Sequence, residues 1–226
     1  LTKYLLEKAG KVICIELDTK MLQILEDRFS LYDNFELINN DVLKVDLKNI
    51  IEKEKTQGKI KQVKIVANLP YYITTPIIMK LLEEELELES ITVMIQKEVA
   101  DRLIAIPGEK NTGAITYSVY YYASSEAIME VPNSSFIPEP EVTSKVIKLN
   151  IRKEPVVTPK DKEKMFKIIK YAFTQKRKTL LNSLTNNKIF ENKQQGIEIL
   201  NSLQINENCR PEELTLEQFK KISDNL

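Results

Sequence analysis

Histidine and tryptophan are absent from this chain of 226 residues, cysteine occurs twice and glycine five times. Without histidine, Ser-His-Asp and Cys-His catalysis and every His-ligated metal site are excluded. Two cysteines far apart in sequence, Cys14 and Cys209, cannot build a structural zinc site, so no metal is expected. Cys14 sits in the apolar run VICIE, where the ordinary reading is a buried free thiol in a reducing, cytoplasmic setting. Long apolar runs are missing as well. Nothing approaches the roughly 18 consecutive apolar residues of a membrane span, and LTKYLLEKAG lacks the charged, apolar and small-residue order of a secretory signal. Neither export nor a membrane partner is expected. The chemistry is left to carboxylates, amides, tyrosine, lysine and positioning.

A composition of 42% apolar and 29% charged residues describes a globular chain, long enough for a sizeable core with room for a small second unit. The 33 basic and 33 acidic residues balance, but they are segregated. Residues 83–89 read EEELELE, whereas 160–178 carry Lys160, Lys162, Lys164, Lys167, Lys170, Lys176, Arg177 and Lys178 against Asp161 and Glu163. Partners are therefore expected at the basic end. On a helical projection of 160–173 the lysines share one side, with Met165, Phe166, Ile168, Ile169, Ala172 and Phe173 on the other. An ordinary solvated helix face remains open as the alternative. Tyr71, Tyr72, Tyr120, Tyr121 and Tyr122 add aromatic surface for stacking bases, or core.

Apolar runs at 11–16, 35–39, 63–67 and 91–95 read as strands, with helical patterns at 19–31, 76–88 and 97–106. Strands spaced by helices predict an α/β fold with a parallel, doubly wound sheet. Residues 127–131 and 145–150 read as two strands with no helix between, a terminal antiparallel hairpin. RKEPVVTP at 152–159 is the linker, and the remainder is helical in pattern, giving domains at 1–157 and 158–226.

In such a sheet, ligands bind beyond the carboxyl ends of the strands. Glu16 ends one strand and is suited to accept from a ribose cis-diol, although a strand-end acid is also an ordinary solvated group. Asp41, after the next strand, is suited to an adenine amine, with an Asx-turn or helix cap as the alternative. Asn68-Leu69-Pro70-Tyr71 follows VKIVA and differs in kind. An exocyclic amine on a nucleobase is a poor nucleophile because its lone pair is delocalised into the ring. The Asn68 side-chain oxygen and the Pro70 carbonyl are suited to hold its two N–H bonds and to favour a pyramidal nitrogen, while Tyr71 offers a stacking face. A strand-ending proline turn with an asparagine cap stays open beside this reading.

NLPYYITTPI resembles the catalytic motif of the ribosomal RNA adenine N6,N6-dimethyltransferases of the small subunit, the KsgA-type family. IELD at 15–18, ND at 40–41, QKEVADRL at 96–103, NTGAITYSV at 111–119, FIPEPEVTS at 136–144, AFTQKRKTLLNSL at 172–184 and RPEELTLEQF at 210–219 extend the resemblance along the whole chain. It implies a Rossmann-like class I methyltransferase sheet using S-adenosylmethionine, followed by a small all-α domain that docks on RNA. Glu16 would then bind the cofactor's ribose and Asp41 its adenine, with Leu17, Val42 and Asn68 completing the cofactor set. Asn68 and Pro70 would hold the target amine, and Tyr71 and Phe136 would sandwich the target base. The resemblance implies dimethylation of two adjacent adenines in the 3′-terminal hairpin loop of 16S rRNA, within immature small ribosomal subunits, by a monomer. Lys160, Lys164, Lys167, Lys170, Lys176, Arg177 and Lys178 would contact the RNA.

In the family a first strand and Gly-rich loop precede the Leu-Thr pair that matches Leu1-Thr2. They are expected to precede this chain, whose absence of that strand should leave free edges on its neighbours. Three other readings compete: the antibiotic-resistance enzyme that dimethylates a large-subunit rRNA adenine, a non-catalytic ribosome-assembly factor, and a nicotinamide dehydrogenase. NLPY and the KRKTLLNSL tail favour the small-subunit enzyme over the first; the dehydrogenase leaves NLPYY and the basic tail without a role.

Overall fold

The computed structural model describes residues 1–58, 60–175 and 177–226, which form two compact units, 1–63 with 76–87 and 64–75 with 88–226. The first unit opens on helix α1 (Thr2–Leu6) and strand β1 (Val12–Glu16), which is followed by helix α2 (Thr19–Phe29), strand β2 (Phe35–Asn39) and helix α3 (Leu47–Gln57). β1 and β2 pair in parallel, with Glu16 opposite Asn39. Asp18 caps α2 by accepting from the Lys20 N–H, and Asp46 caps α3 by accepting from the Asn49 N–H. Of the apolar face read for α2, Leu22, Leu25 and Phe29 are half-buried, whereas Met21 is exposed. Phe29 packs edge-on against Tyr32 at 5.9 Å and tilted against Phe35 at 5.7 Å. Lys11 ties β1 to its neighbours through Glu36 and Glu54, both at 2.7 Å.

Strand β3 (Lys64–Asn68) leads into helix α4 (Thr74–Glu83), strand β4 (Ser90–Gln96) and helices α5 (Lys97–Ile104) and α6 (Ala114–Tyr122). Strands β5 (Ala123–Val131) and β6 (Ser144–Ile151) complete a four-stranded sheet in the order β3-β4-β6-β5. β3 runs parallel to β4, while β6 is antiparallel to both β4 and β5. The expected terminal hairpin is thus present, with no α-helix between its strands. β4 and β6 lie centrally: Ile91, Val93, Ile95, Ile147 and Leu149 are fully buried at alternating positions. The edge strands β3 and β5 are more exposed, and β5 carries a register shift between Ala127 and Met129. α4 stops at Glu83 rather than continuing to 88, because successive acidic residues there oppose the negative end of the helix dipole.

Helices α7 (Lys162–Ala172), α8 (Leu180–Asn186), α9 (Lys193–Ser202) and α10 (Leu216–Asp224) follow. Met165, Ile168, Leu184, Phe190, Leu200, Phe219 and Ile222 form their core, which also takes in Tyr117 and Tyr121 of α6. The Tyr117 hydroxyl donates to the Leu214 carbonyl at 2.7 Å and lies 3.1 Å from that of Pro211. Burial pushes this phenol well above its ordinary pKa. The RPEEL segment is therefore held by the ITYSV helix. Among the described residues, no helix is long and apolar enough to cross a membrane.

Candidate active site

At one end of the four-stranded sheet the carboxyl ends of β3, β4 and β5 meet the start of β6, as the register Asn68–Met94, Gln96–Ser144 and Val131–Ser144 requires. Asn68 is the exposed last residue of β3. The buried Leu69 continues the ladder for one more bond, donating its N–H to the Met94 carbonyl at 3.2 Å. Pro70 then breaks the strand, having no N–H to continue it. Its carbonyl accepts from the Ile73 N–H at 3.2 Å and the Thr74 hydroxyl at 3.1 Å, so it starts the turn leading into α4. No loop, cap or side-chain hydrogen bond among the described residues reaches the Leu69 carbonyl one residue earlier. Sequence reasoning had no signal for this acceptor, because which carbonyl of the tip is occupied depends on the turn.

Tyr71 is half-buried and its hydroxyl lies 2.7 Å from the Ser144 hydroxyl. Phe136 arrives from the loop between β5 and β6, whose ends are pinned at Val131 and Ser144. Lys97 N–H donates to the Thr143 carbonyl at 3.0 Å and holds the far end of the loop to the start of α5. Asn68, Leu69, Pro70, Tyr71, Phe136, Pro138 and Pro140 line a single cleft of about 310 Å³. All four residues expected to act on the target base are brought together there.

Lys145 pairs with Asp101 of α5 and lies 3.5 Å from Glu130 of β5, while Lys97 reaches Glu130 at 2.8 Å. Donating a hydrogen bond to Asp101 raises the Lys145 pKa, and accepting one from Lys97 lowers the pKa of Glu130. QKEVADRL thus acts as a brace between α5 and the hairpin. Thr116, in NTGAITYSV, is likewise structural, donating to the Arg102 carbonyl at 2.7 Å.

In the first unit, Glu16 and Asp41 stand at neighbouring strand ends, linked by the Asn40 N–H donating to the Glu16 carbonyl at 3.1 Å. Glu16 Oε1 accepts from the N–H groups of Leu17 and Asp18 at 2.8 and 2.9 Å, which fixes the carboxylate while leaving Oε2 outside those bonds. Asp41 Oδ1 accepts from the Leu43 N–H at 2.9 Å, the Asx-turn that the sequence held open, which leaves Oδ2 outside that bond. Leu17 is exposed and Val42 half-buried. Two oriented acceptor-only groups with apolar neighbours fit the hydroxyls of a ribose and the amine of an adenine.

Lys167, Lys170, Arg177 and Lys178 are exposed and Lys164 half-buried, and among the described residues none of the five has an ion-pair partner. Lys167 lies over the Tyr171 ring at 6.0 Å. Lys160 differs, its N–H and ammonium both bound to Asp224. Lys176 lies outside the described residues. Of the tyrosines, Tyr121 is buried against Phe166, while Tyr120 and Tyr122 lie against Arg152 and Lys162. These rings are core and half-core.

Sheet, terminal hairpin and strand-end cleft together define a Rossmann-like methyltransferase fold, shared with the 23S rRNA methyltransferase ErmE at a TM-score of 0.68 and 21% identity, over 100% of this chain and 85% of that one. A dimethyladenosine transferase from Plasmodium falciparum superimposes with a TM-score of 0.76 at 27% identity, covering 98% of this chain and 83% of that one. The family model described as ribosomal RNA adenine dimethylase matches residues 1–226. Ribosomal RNA small subunit methyltransferase A of Alkaliphilus oremlandii is 45% identical over 226 residues, covering 100% of this chain and 78% of that protein. Its counterpart in Bacillus licheniformis is 45% identical over 228 residues, covering 100% and 77%. The chain belongs to the ribosomal RNA adenine dimethylase family.

Proposed function

We propose that this chain uses S-adenosylmethionine to dimethylate N6 of two adjacent adenines in the 3′-terminal hairpin loop of 16S rRNA, within immature small ribosomal subunits. The observation carrying this reading is the cleft that unites Asn68, Pro70 and Tyr71 with Phe136, residues far apart in sequence. An aromatic ring on each of two segments, beside a carboxamide and backbone carbonyls, suits a base taken out of its stack.

S-adenosylmethionine, when bound, supplies an electrophilic methyl group. Glu16 and Asp41, with Leu17 and Val42 beside them, hold its nucleoside part. Asn68 accepts one N–H of the target amine through its side-chain oxygen. The second N–H is offered the carbonyls of the same tip: that of Pro70, from which the Thr74 hydroxyl would rotate away, and that of Leu69. Holding both N–H bonds turns the nitrogen lone pair out of conjugation; with the cofactor bound, that lone pair would take the methyl group as the methyl–sulfur bond breaks and the sulfur leaves as a neutral thioether, and the nitrogen would lose one proton to water. One N–H remains after the first transfer and can still be held, which permits the second. The dimethylated amine has none, and its release follows from losing both hydrogen bonds.

Residues 158–226 serve as the docking domain, in which Lys160, Lys164, Lys167, Lys170, Lys176, Arg177 and Lys178 contact the RNA. The test is methyl transfer from labelled S-adenosylmethionine to immature small subunits lacking the dimethyladenines, with the labelled nucleotides mapped. Label on the two hairpin adenines is expected. Label confined to other nucleotides, label on large-subunit rRNA offered in a parallel reaction with none on the small subunit, or binding without transfer overturns the proposal. Asn68→Ala should lower turnover by about 100-fold or more with RNA affinity within a few-fold of the parent, since its contact acts on the aligned amine.

A further inference from the structure

We infer that Ser144, in the otherwise unassigned VTS segment, is a positioning residue that sets the pose of the Tyr71 ring; this rests on the base-stacking reading of the cleft. Ser144 is fully buried, and its hydroxyl lies 2.7 Å from that of Tyr71. Its backbone is held on both sides, opposite Gln96 of β4 and Val131 of β5, and the preceding Thr143 carbonyl accepts from the Lys97 N–H. Ser144 is therefore a fixed point of the sheet.

Tyr71 is held differently. It opens a three-residue turn (Tyr71–Ile73) after Pro70, where the chain has left the β3–β4 ladder. Its ring makes no contact with another aromatic ring among the described residues, unlike Tyr117 and Tyr121. A phenol anchored only at Cα turns about two side-chain bonds; a second anchor at the hydroxyl removes most of that freedom before a base arrives. Ser144 also closes the loop that carries Phe136. One hydroxyl therefore ties one stacking wall to the base of the other, and the gap between the walls is set from a common point.

The test uses the full chain and a 16S hairpin oligonucleotide with 2-aminopurine at the target position. This analogue lacks the 6-amine, so its fluorescence change reports stacking without the Asn68 contact. Ser144→Ala and Tyr71→Phe should each weaken the binding that produces the fluorescence change by about 3- to 10-fold, the worth of one net hydrogen bond. The double variant should lose no more than either alone. Additive losses, or a Tyr71→Phe variant matching the parent, would overturn the inference. Tyr71→Phe also keeps the test decisive should Ser144→Ala fail to fold. Tyr71→Ala and Phe136→Ala separate the two levels. If both leave the signal unchanged, the base-stacking reading fails and the role of Ser144 with it; if both abolish it while Ser144→Ala and Tyr71→Phe bind as tightly as the parent, only the role of Ser144 fails.

Discussion

In the proposed reaction, Phe136 stacks on the target base and Asn68 holds its amine. Phe136 stands on a loop and makes no contact with another aromatic ring among the described residues, so its face is available to a base. Phe136→Ala is expected to weaken binding of the flipped-base analogue by about 1–3 kcal/mol, measured by fluorescence titration. Cys209 is a residue of the opposite kind. Its thiol is buried, and burial pushes its pKa up to about 11 from an ordinary 9.0. Native protein should therefore react with iodoacetamide at pH 8 far more slowly than a denatured sample. The folded state holds the thiol proton more tightly than the unfolded one, so this group's stabilising contribution is intact below pH 9 and is lost as pH rises toward 11. A denaturation midpoint unchanged in Cys209→Ala relative to the parent over that window would remove the effect.

Elements place these residues, and some elements carry little sequence signal. α6 is rich in Thr, Val, Ile and Tyr, a composition that favours strands. It is nevertheless helical, buried at Thr116, Tyr117, Ser118, Val119 and Tyr121, so no polar face remains to reveal a helical period. α3 was equally illegible: its apolar residues cluster at Leu47, Ile50 and Ile51 before a charged tail. In α9 the constraint is steric. A Cβ on Gly196 would stand 2.6 Å from Leu181 Cδ1 and 2.7 Å from Phe190 Cδ2. Gly196→Ala should therefore destabilise the helical core by about 1–3 kcal/mol in urea titration, despite alanine's better helix propensity. Increased stability would show that those side chains move aside without cost.

At the scale of the molecule, balanced charge conceals local imbalance. The acidic side chains near 83–89 are partly neutralised: Lys80 pairs with Glu84, Lys55 with Glu87 and Lys64 with Glu89 at 3.4 Å. Lys164, Lys167, Lys170, Arg177 and Lys178 have no such partners among the described residues. Reversing Arg177 and Lys178 to Glu should weaken RNA binding and lower the slope of log affinity against log salt by about 2. An unchanged slope would separate these residues from the docking surface.

The alternation of strand and helix, the terminal hairpin and the strand end and turn at Asn68-Leu69-Pro70-Tyr71 were legible in sequence. Local periodicity and residue type determine strand existence, and a strand-ending Asn and Pro mark their own position. The meeting of Phe136 with that tip was expected from family resemblance, but its physical cause lies in the tertiary structure. β4 pairs with β3 on one edge and β6 on the other, and this long-range ladder brings the loop before β6 beside the end of β3. The occupied Pro70 carbonyl, the Tyr71–Ser144 hydrogen bond and the core role of Tyr121 were decided there as well. Each depends on which backbone and side-chain groups are already satisfied by neighbours distant in the chain, and residue type and spacing do not encode that occupancy.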